Sequence, residues 1–308
     1  MTCEKMSLII ISNEADRDLE DCIGSIDDQA EKPNEVILVL SKNGNGLKDR
    51  WPGIQVLIKN ANRSEARNIG WRYANGPIVC FWESDSTFSP DWFKEVHRAF
   101  HRGADAVIDR RRVYQPKTYI ERCWDANFDL RYADYKPFSA WAFRRNVLED
   151  VGGFDPSIVY AEDTDLGTRL LEKGYRILLA GKAIQYHKGE PKSLAGIIRR
   201  RYIFGRRKAA GFYKKHPDLY PRGKTAATAM SPLILVGTIC IAGLNTGVAL
   251  LVTGIGILLT GLAIKIQLVE NKEKTIRARY IPGIVAARFM GSVSYHLGIL
   301  RALVPEQL

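Results

Sequence analysis

The spacing of apolar positions divides the chain into two parts. Over residues 7–179, short continuous runs of Ile, Val and Leu alternate with segments whose apolar residues recur at helical spacing. The runs at 7–12, 35–40, 55–58 and 77–82 have the length and residue types of strands. Helical patterns occupy 19–26 and 64–73, and the Ser41, Lys42, Asn43, Gly44, Asn45, Gly46 stretch forms turns. Continuous apolar strands separated by helices predict an α/β fold, with a mostly parallel sheet covered on both faces. Trp92, Phe93, Val96, Ala99 and Phe100 then predict a helix over 91–102. The charged and aromatic segment 107–135 reads as irregular, with a short strand and a helix near 119–129. A strand at 138–143, a helix at 145–150, a helix from 162 to about 173 ended by Gly174, and a strand at 175–179 complete this part.

Beyond residue 190 the pattern changes. Leu194, Ile197, Ile198, Tyr202, Ala209, Phe212 and Tyr213 share one helical face, opposite Arg199, Arg200, Arg206 and Arg207. Such a helix suits an anionic membrane surface. The stretches 225–244 and 247–268 carry one charge between them, Lys265. Each has about 20 residues, enough to span a ~30 Å hydrocarbon core at ~1.5 Å per residue. Asn245 and Thr246 supply a turn, and basic residues flank the pair on both outer sides, including Lys272, Lys274, Arg277 and Arg279. The positive-inside rule then predicts a transmembrane hairpin with both flanks in the cytosol. A single long helix is the competing reading. The segment 281–304 is apolar but contains Arg288, His296 and Arg301, and reads as a second interfacial helix in preference to a third span. The expected organisation is a folded domain at 1–190, a basic interfacial helix and linker at 191–224, the hairpin at 225–268 and a C-terminal interfacial helix at 269–308.

Charge sharpens this picture. The net charge is +11, and eleven Lys and Arg with a single acid, Asp218, fall within 191–224, so the surplus is a local device. Nucleic acid ranks below the membrane as its partner, because an apolar stretch follows. Five cysteines lack C-x-x-C spacing, which argues against a disulfide framework or zinc site and suits a reducing compartment. No basic segment followed by an apolar one opens the sequence, so no signal peptide is read and the first domain is expected to be cytosolic, in a multi-pass cell-membrane protein.

In sheets of this type ligands bind at the carboxyl ends of the strands, where Glu14, Ser41, Glu83 and Asp85 fall. Glu83 and Asp85 project to one side of an extended chain and could hold a divalent metal, Mg2+ or Mn2+. The same pair also suits a solvated turn. Asp163, among the acids Glu162, Asp163 and Asp165 at a helix start, is either an N-cap or a catalytic group, and His187 either a packed histidine or a ligand. Neither G-x-S-x-G nor H-E-x-x-H occurs, so hydrolase readings are weak.

Five motifs in order carry a resemblance: S-L-I-I-I-S-N-E at 7–14, A-R-N-I-G at 66–70, F-W-E-S-D at 81–85, G-G-F-D at 152–155 and E-D-T-D-L at 162–166. Over residues 7–189 the chain resembles the family 2 glycosyltransferases of the GT-A nucleotide-sugar-binding fold. His187 lies 24 residues after Asp163, the interval at which relatives place a metal-binding histidine. The resemblance implies inverting transfer of a sugar from a nucleotide diphosphate donor. Asp85 and His187 would hold the metal, and Asp163 would act as general base. Asn13, Glu14, Ser41, Arg67, Glu83 and Glu162 would bind the nucleotide sugar. The chain departs from the family where Leu40 and Ser41 replace an acidic pair that reads the base, and where Glu83 stands as the first acid of D-x-D. The expected acceptor is lipid-linked or otherwise presented at a membrane. A polyprenyl-phosphate sugar synthase is the alternative enzyme, and a non-catalytic membrane scaffold the alternative of another class.

Overall fold

The computed structural model describes residues 4–41, 50–133, 140–221 and 278–303. The chain forms two compact units, Met1–Tyr114 with Lys136–Glu190, and Gln115–Tyr135 with Pro191–Leu308. Residues 115–135, which the sequence places in the first domain, therefore belong to the second unit. The apolar stretches 225–244 and 247–268, the turn residues 42–46 and the start of the strand expected at 138–143 lie outside the described residues.

The first unit is built on an eight-stranded sheet. Its strands are β1 (Met6–Ser12), β2 (Glu35–Leu40), β3 (Ile54–Ile58), β4 (Ile78–Glu83), β5 (Ser86–Phe88), β6 (Ala106–Val113), β7 (Ala142–Arg144) and β8 (Ile177–His187). They run in the order β3-β2-β1-β4-β7-β6-β8-β5. The half made of β3, β2, β1 and β4 is parallel throughout, as continuous apolar runs predict. Leu8, Ile9 and Ile10 are fully buried in succession, so both faces of β1 are covered. The other half is mixed, because β7 pairs antiparallel with both β4 and β6, and β5 antiparallel with β8. The expectation of a mostly parallel sheet thus holds for one half only. The short strands β5 and β7 carry too few residues to show a period.

Helices α1 (Arg17–Asp27), α2 (Arg63–Tyr73), α3 (Trp92–His101), α5 (Arg145–Val151) and α6 (Glu162–Glu172) accompany this sheet, with α4 (Tyr119–Ala133) in the other unit. Helix α2 lies close on β1 at Gly70, where a Cβ would come within 2.4 Å of Ile9 Cγ2. Below the carboxyl end of β4, Trp82 stacks on Phe88 with ring centroids 3.8 Å apart and meets Trp92 edge-on at 5.5 Å. The stacked pair brackets residues 83–87 and holds the link from β4 to β5 in place.

In the second unit, α7 (Leu194–Ala210) crosses α9 (Ile281–Leu303), and the short α8 (Phe212–Lys215) follows α7. The crossing is close at Gly205 and Gly298, where a Cβ would lie 2.0 Å from the Tyr295 carbonyl and 2.1 Å from that of Tyr202. Ser294 Oγ donates to the Ile198 carbonyl at 2.6 Å, and the Tyr213 and Tyr295 hydroxyls meet at 2.9 Å. Arg288 Nε donates to Asn127 Oδ1 at 2.6 Å, tying α4 to α9. Among the described residues no helix is long and apolar enough to cross a membrane.

A register shift in β6 brackets Asp109, a buried carboxyl that accepts a hydrogen bond from Trp92 Nε1 at 3.0 Å. Burial pushes its pKa up to about 7, against the smaller pull of the Trp92 bond and of Arg111. A carboxyl raised in the folded state keeps a proton that the unfolded chain releases, so its effect on stability is unfavourable and grows as pH rises from about 4 to about 7. Asp109→Asn keeps an acceptor for Trp92 and removes the titration. In chemical unfolding followed by tryptophan fluorescence the variant should match wild type near pH 4 and exceed it by on the order of 2 to 4 kcal/mol near pH 8.

Candidate functional site

The parallel half of the sheet delivers several residues to one edge. Pairing of β1 with β4 sets Ile11 beside Glu83, and the Ser41 amide donates to the Ser12 carbonyl at 2.9 Å. Asn13 and Glu14 are exposed just past β1, and Ser41, half-buried past β2, donates from Oγ to the Ala61 carbonyl at 3.1 Å. Glu83 ends β4 on the same edge.

Asp85 and His187 are joined by the antiparallel pairing of β5 with β8. This pairing puts Ser86 opposite His187, and the Lys188 amide donates to the Asp85 carbonyl at 2.9 Å. The sequence ends the last strand at 179 because Gly181 and Lys182 break the apolar run, whereas β8 continues to His187 itself. His187 Nε2 lies 3.2 Å from Asp85 Oδ2 and 3.9 Å from Glu83 Oε2. One candidate ligand atom from each of the three falls within 4.8 Å of the others. The following turn passes tightly over them, since a Cβ on Gly189 would lie 2.8 Å from His187 Cε1 and 3.1 Å from Asp85 Oδ2. An imidazole nitrogen converging with carboxylate oxygens is a donor set that fits Mn2+ or Mg2+.

The two acids of the pair differ in surroundings. Glu83 Oε2 accepts a hydrogen bond from Arg111 Nη2 and another from Gln185 Nε2 at 3.1 Å, while Arg67 Nη2 lies 3.9 Å from Oε1. Burial opposes its charge, yet Arg111, His187, Arg67 and Arg63 together hold the carboxyl well below the usual range. The Asp85 side chain is 44% exposed against 16% for Glu83, so Asp85 is the carboxylate open to a ligand. For His187, burial and Arg111 press toward the neutral ring, but the nearby carboxylates of Asp85 and Glu190 leave the pKa above its ordinary value.

Arg67 and Glu162 form a buried pair. A capping box between Asn62 and Glu65 starts α2 and directs Arg67 inward, where it is 1% exposed. Its Nη1 donates to Glu162 Oε1 at 2.6 Å, and its guanidinium lies over the rings of Trp141 and Phe154 at 5.0 and 5.2 Å. Asn68 clamps the loop that leads to Glu162, donating to the Phe154 carbonyl at 2.6 Å and accepting from the Phe154 amide at 2.9 Å. Gly153, with φ +74°, leaves room for that clamp, since a Cβ there would come within 2.5 Å of Asn68 Oδ1. Burial pushes the Glu162 pKa up despite the Arg67 charge.

Asp163 is the second residue of α6, half-buried, and accepts from the Thr164 amide at 2.7 Å. It is not an N-cap. That position is Ala161, a non-glycine residue held at φ +67°, the kind of backbone strain that concentrates at functional sites. Arg63, with its side chain 52% exposed, lies 3.7 Å from Glu162. Partial burial opposes its charge, but Glu162, Glu83, Asp163 and Asp85 raise its pKa, so one cation senses all four carboxylates. Arg63, Arg111, Gln185 and Glu190 escape a motif-based reading. Only Gln185 leaves a signal, two residues before His187 on the same strand face.

Residues 7–152 match the family model described as glycosyl transferase family 2. The chain is 28% identical over 191 residues to a pre-mycofactocin glycosyltransferase of Mycobacterium tuberculosis, covering 58% of this chain and 38% of that protein. It thus spans well under half of that relative's length. It is 23% identical over 279 residues to the glycosyltransferase AglE of Haloferax volcanii, covering 76% of this chain and 90% of that one. Among solved structures, the mannosyltransferase PcManGT from Pyrobaculum calidifontis, in complex with GDP-Man and Mn2+, superposes with a TM-score of 0.64 at 19% identity. The match covers 99% of this chain and 89% of that one and shows a shared fold.

Replacing Arg67 by Met strands the Glu162 charge in a buried setting. Arg67→Met should lower unfolding free energy by about 3 to 5 kcal/mol in a denaturant titration, whereas Arg67→Met with Glu162→Leu should recover most of the loss.

Proposed function

Residues 7–152 are a family 2 glycosyltransferase domain, and from that premise we propose that the protein is an inverting glycosyltransferase moving a sugar from a nucleotide diphosphate donor to a hydroxyl of a membrane-presented, lipid-linked acceptor. The observation that carries this reading is the convergence of His187 Nε2 and Asp85 Oδ2 beside Glu83, at the sheet edge that also holds Asn13, Glu14 and Ser41. The GDP-Man and Mn2+ bound by the mannosyltransferase of the same fold support the donor class and the divalent ion.

Asp85 and His187 would hold Mg2+ or Mn2+, which when bound neutralises charge developing on the leaving diphosphate. Arg63, half-exposed among the carboxylates, adds a cation for the same anion. Asp163 is the general base. Its carboxylate takes the proton of the acceptor hydroxyl as that oxygen bonds to the anomeric carbon. The bond from the anomeric carbon to the phosphate oxygen breaks on the opposite face, the electron pair leaves with the nucleoside diphosphate, and configuration inverts. The Glu162 to Arg67 pair fixes the first turn of α6 and with it the position of Asp163. Glu14, Asn13 and Ser41 face the nucleoside.

The membrane part of the reading rests on chemistry in the second unit. Arg199, Arg206 and Arg207 are exposed on α7, and Phe289, Met290, Leu297 and Leu300 are exposed on α9. Basic side chains suit anionic headgroups and apolar ones the acyl boundary. The stretches 225–244 and 247–268 would anchor the chain in the cell membrane with its first unit on the cytosolic side.

Titration calorimetry with GDP and UDP tests the donor site. Binding of at least one should require Mn2+ in wild type and fall by more than tenfold in Asp85→Ala. Asp163→Asn should retain that binding while losing about 10^2 to 10^4 in kcat for transfer to the lipid-linked acceptor. Nucleotide binding indifferent to Mn2+ and to Asp85 would exclude the proposal.

A further inference from the structure

Glu190 has no place in the motifs, yet it is buried beside His187. Its Oε1 lies 3.3 Å from His187 Nδ1, on the side of the ring away from Asp85. Neither group is open to water, the side chains being 8% and 2% exposed. The turn that brings Glu190 back onto the ring runs through Gly189, the position at which a Cβ would strike both His187 and Asp85. We propose that Glu190 is a positioning residue for the metal site: it accepts a hydrogen bond from His187 Nδ1–H and thereby keeps the Nε2 lone pair turned toward Asp85 and available to Mn2+ or Mg2+. An imidazole has one protonated nitrogen when neutral, so an ionised carboxylate, which only accepts, selects the other nitrogen as the ligand atom. A carboxylate behind a ligating histidine fixes ring orientation and raises the basicity of the ligating nitrogen.

Glu190 also lies 3.8 Å from Arg111 Nη1, and balancing that guanidinium by charge alone is the competing role. The two roles separate by substitution. Glu190→Gln removes the charge but keeps an oxygen that can accept from Nδ1–H, whereas Glu190→Leu removes both.

The inference rests on the proposed metal site, and the experiment therefore reads metal binding directly. Free Mn2+ is titrated into the full-length protein and followed by electron paramagnetic resonance, with thermal unfolding as a check that each variant is folded. Wild type should bind one Mn2+ and His187→Ala should not. Glu190→Gln should stay within about threefold of wild type, and Glu190→Leu should weaken Mn2+ by about tenfold to a hundredfold. Equal weakening in Gln and Leu variants would reduce Glu190 to a charge partner of Arg111 and overturn the inference, as would no weakening in either. Binding lost in His187→Ala but unchanged in Glu190→Leu refutes the inference and leaves the metal site standing, while wild type that binds no Mn2+ refutes both. Should Glu190→Leu fail to fold, Glu190→Met, which also removes the charge and the carboxylate acceptor while keeping the side chain's length, takes its place and should show the same tenfold or greater loss.

Discussion

The approach of Asp85 to His187 at the ligand edge depends on one antiparallel contact, β5 against β8. Residues 85 and 187 are distant in sequence, and local chain geometry brings neither to the other. Pairing Ser86 with His187 does so, and the Lys188 amide on the Asp85 carbonyl pins the end of the ladder. The contact is short, so its rigidity comes from beneath. Phe88 of β5 stacks on Trp82 of β4, and Trp92 packs edge-on against both rings. Aromatic pairs in this geometry contribute about 0.5 to 1.5 kcal/mol beyond their buried area, enough to hold a three-residue strand that could not persist by itself.

The second constraint is electrostatic. Glu83, Asp85, Glu162 and Glu190 crowd into a partly buried space, and unpaired they would repel and lose hydration. Arg67 answers Glu162, Arg111 answers Glu83 and approaches Glu190, and Arg63 stands near the edge. The arrangement leaves Asp85 as the exposed carboxylate beside an oriented imidazole. A site with fixed arginines on the inner acids and an open acid at the rim can accept a divalent ion and the oxygens of a diphosphate without rearranging its interior. That is what electrostatic stabilisation of a leaving group asks of a protein.

The parallel half of the fold is legible because burial on both faces leaves no choice but continuous apolar strands: the run at 35–40 coincides with β2, Glu35–Leu40. The acid pair, the helix-start acids and His187 were legible as motifs. What hides His187's placement is that after Ala180 the buried face of β8 carries Ala183, Gln185 and His187, while the apolar Ile184 and Tyr186 lie on the less buried face. Arg111 was hidden by three consecutive arginines, of which a sequence cannot say which turns inward. The left-handed Ala161 leaves no mark either, since backbone strain at a non-glycine residue is imposed by the surrounding loop and not by the residue type. Residues 115–135 misled for a different reason. Their helix carries Cys123 and Asn127, whose partners Ile284 and Arg288 lie far along the chain, so domain membership followed contacts that no local pattern records.

The central claim is that Asp85 and His187 together hold the divalent ion while Glu83 stays with its arginine. Anomalous scattering at the manganese edge, from crystals of the protein grown with MnCl2 and GDP or UDP, tests it most directly. The account predicts one peak in contact with Asp85 Oδ2 and His187 Nε2 and a Glu83 carboxylate still bonded to Arg111. A peak ligated by Glu83 with Arg111 displaced, or one that leaves His187 uncoordinated, would contradict it.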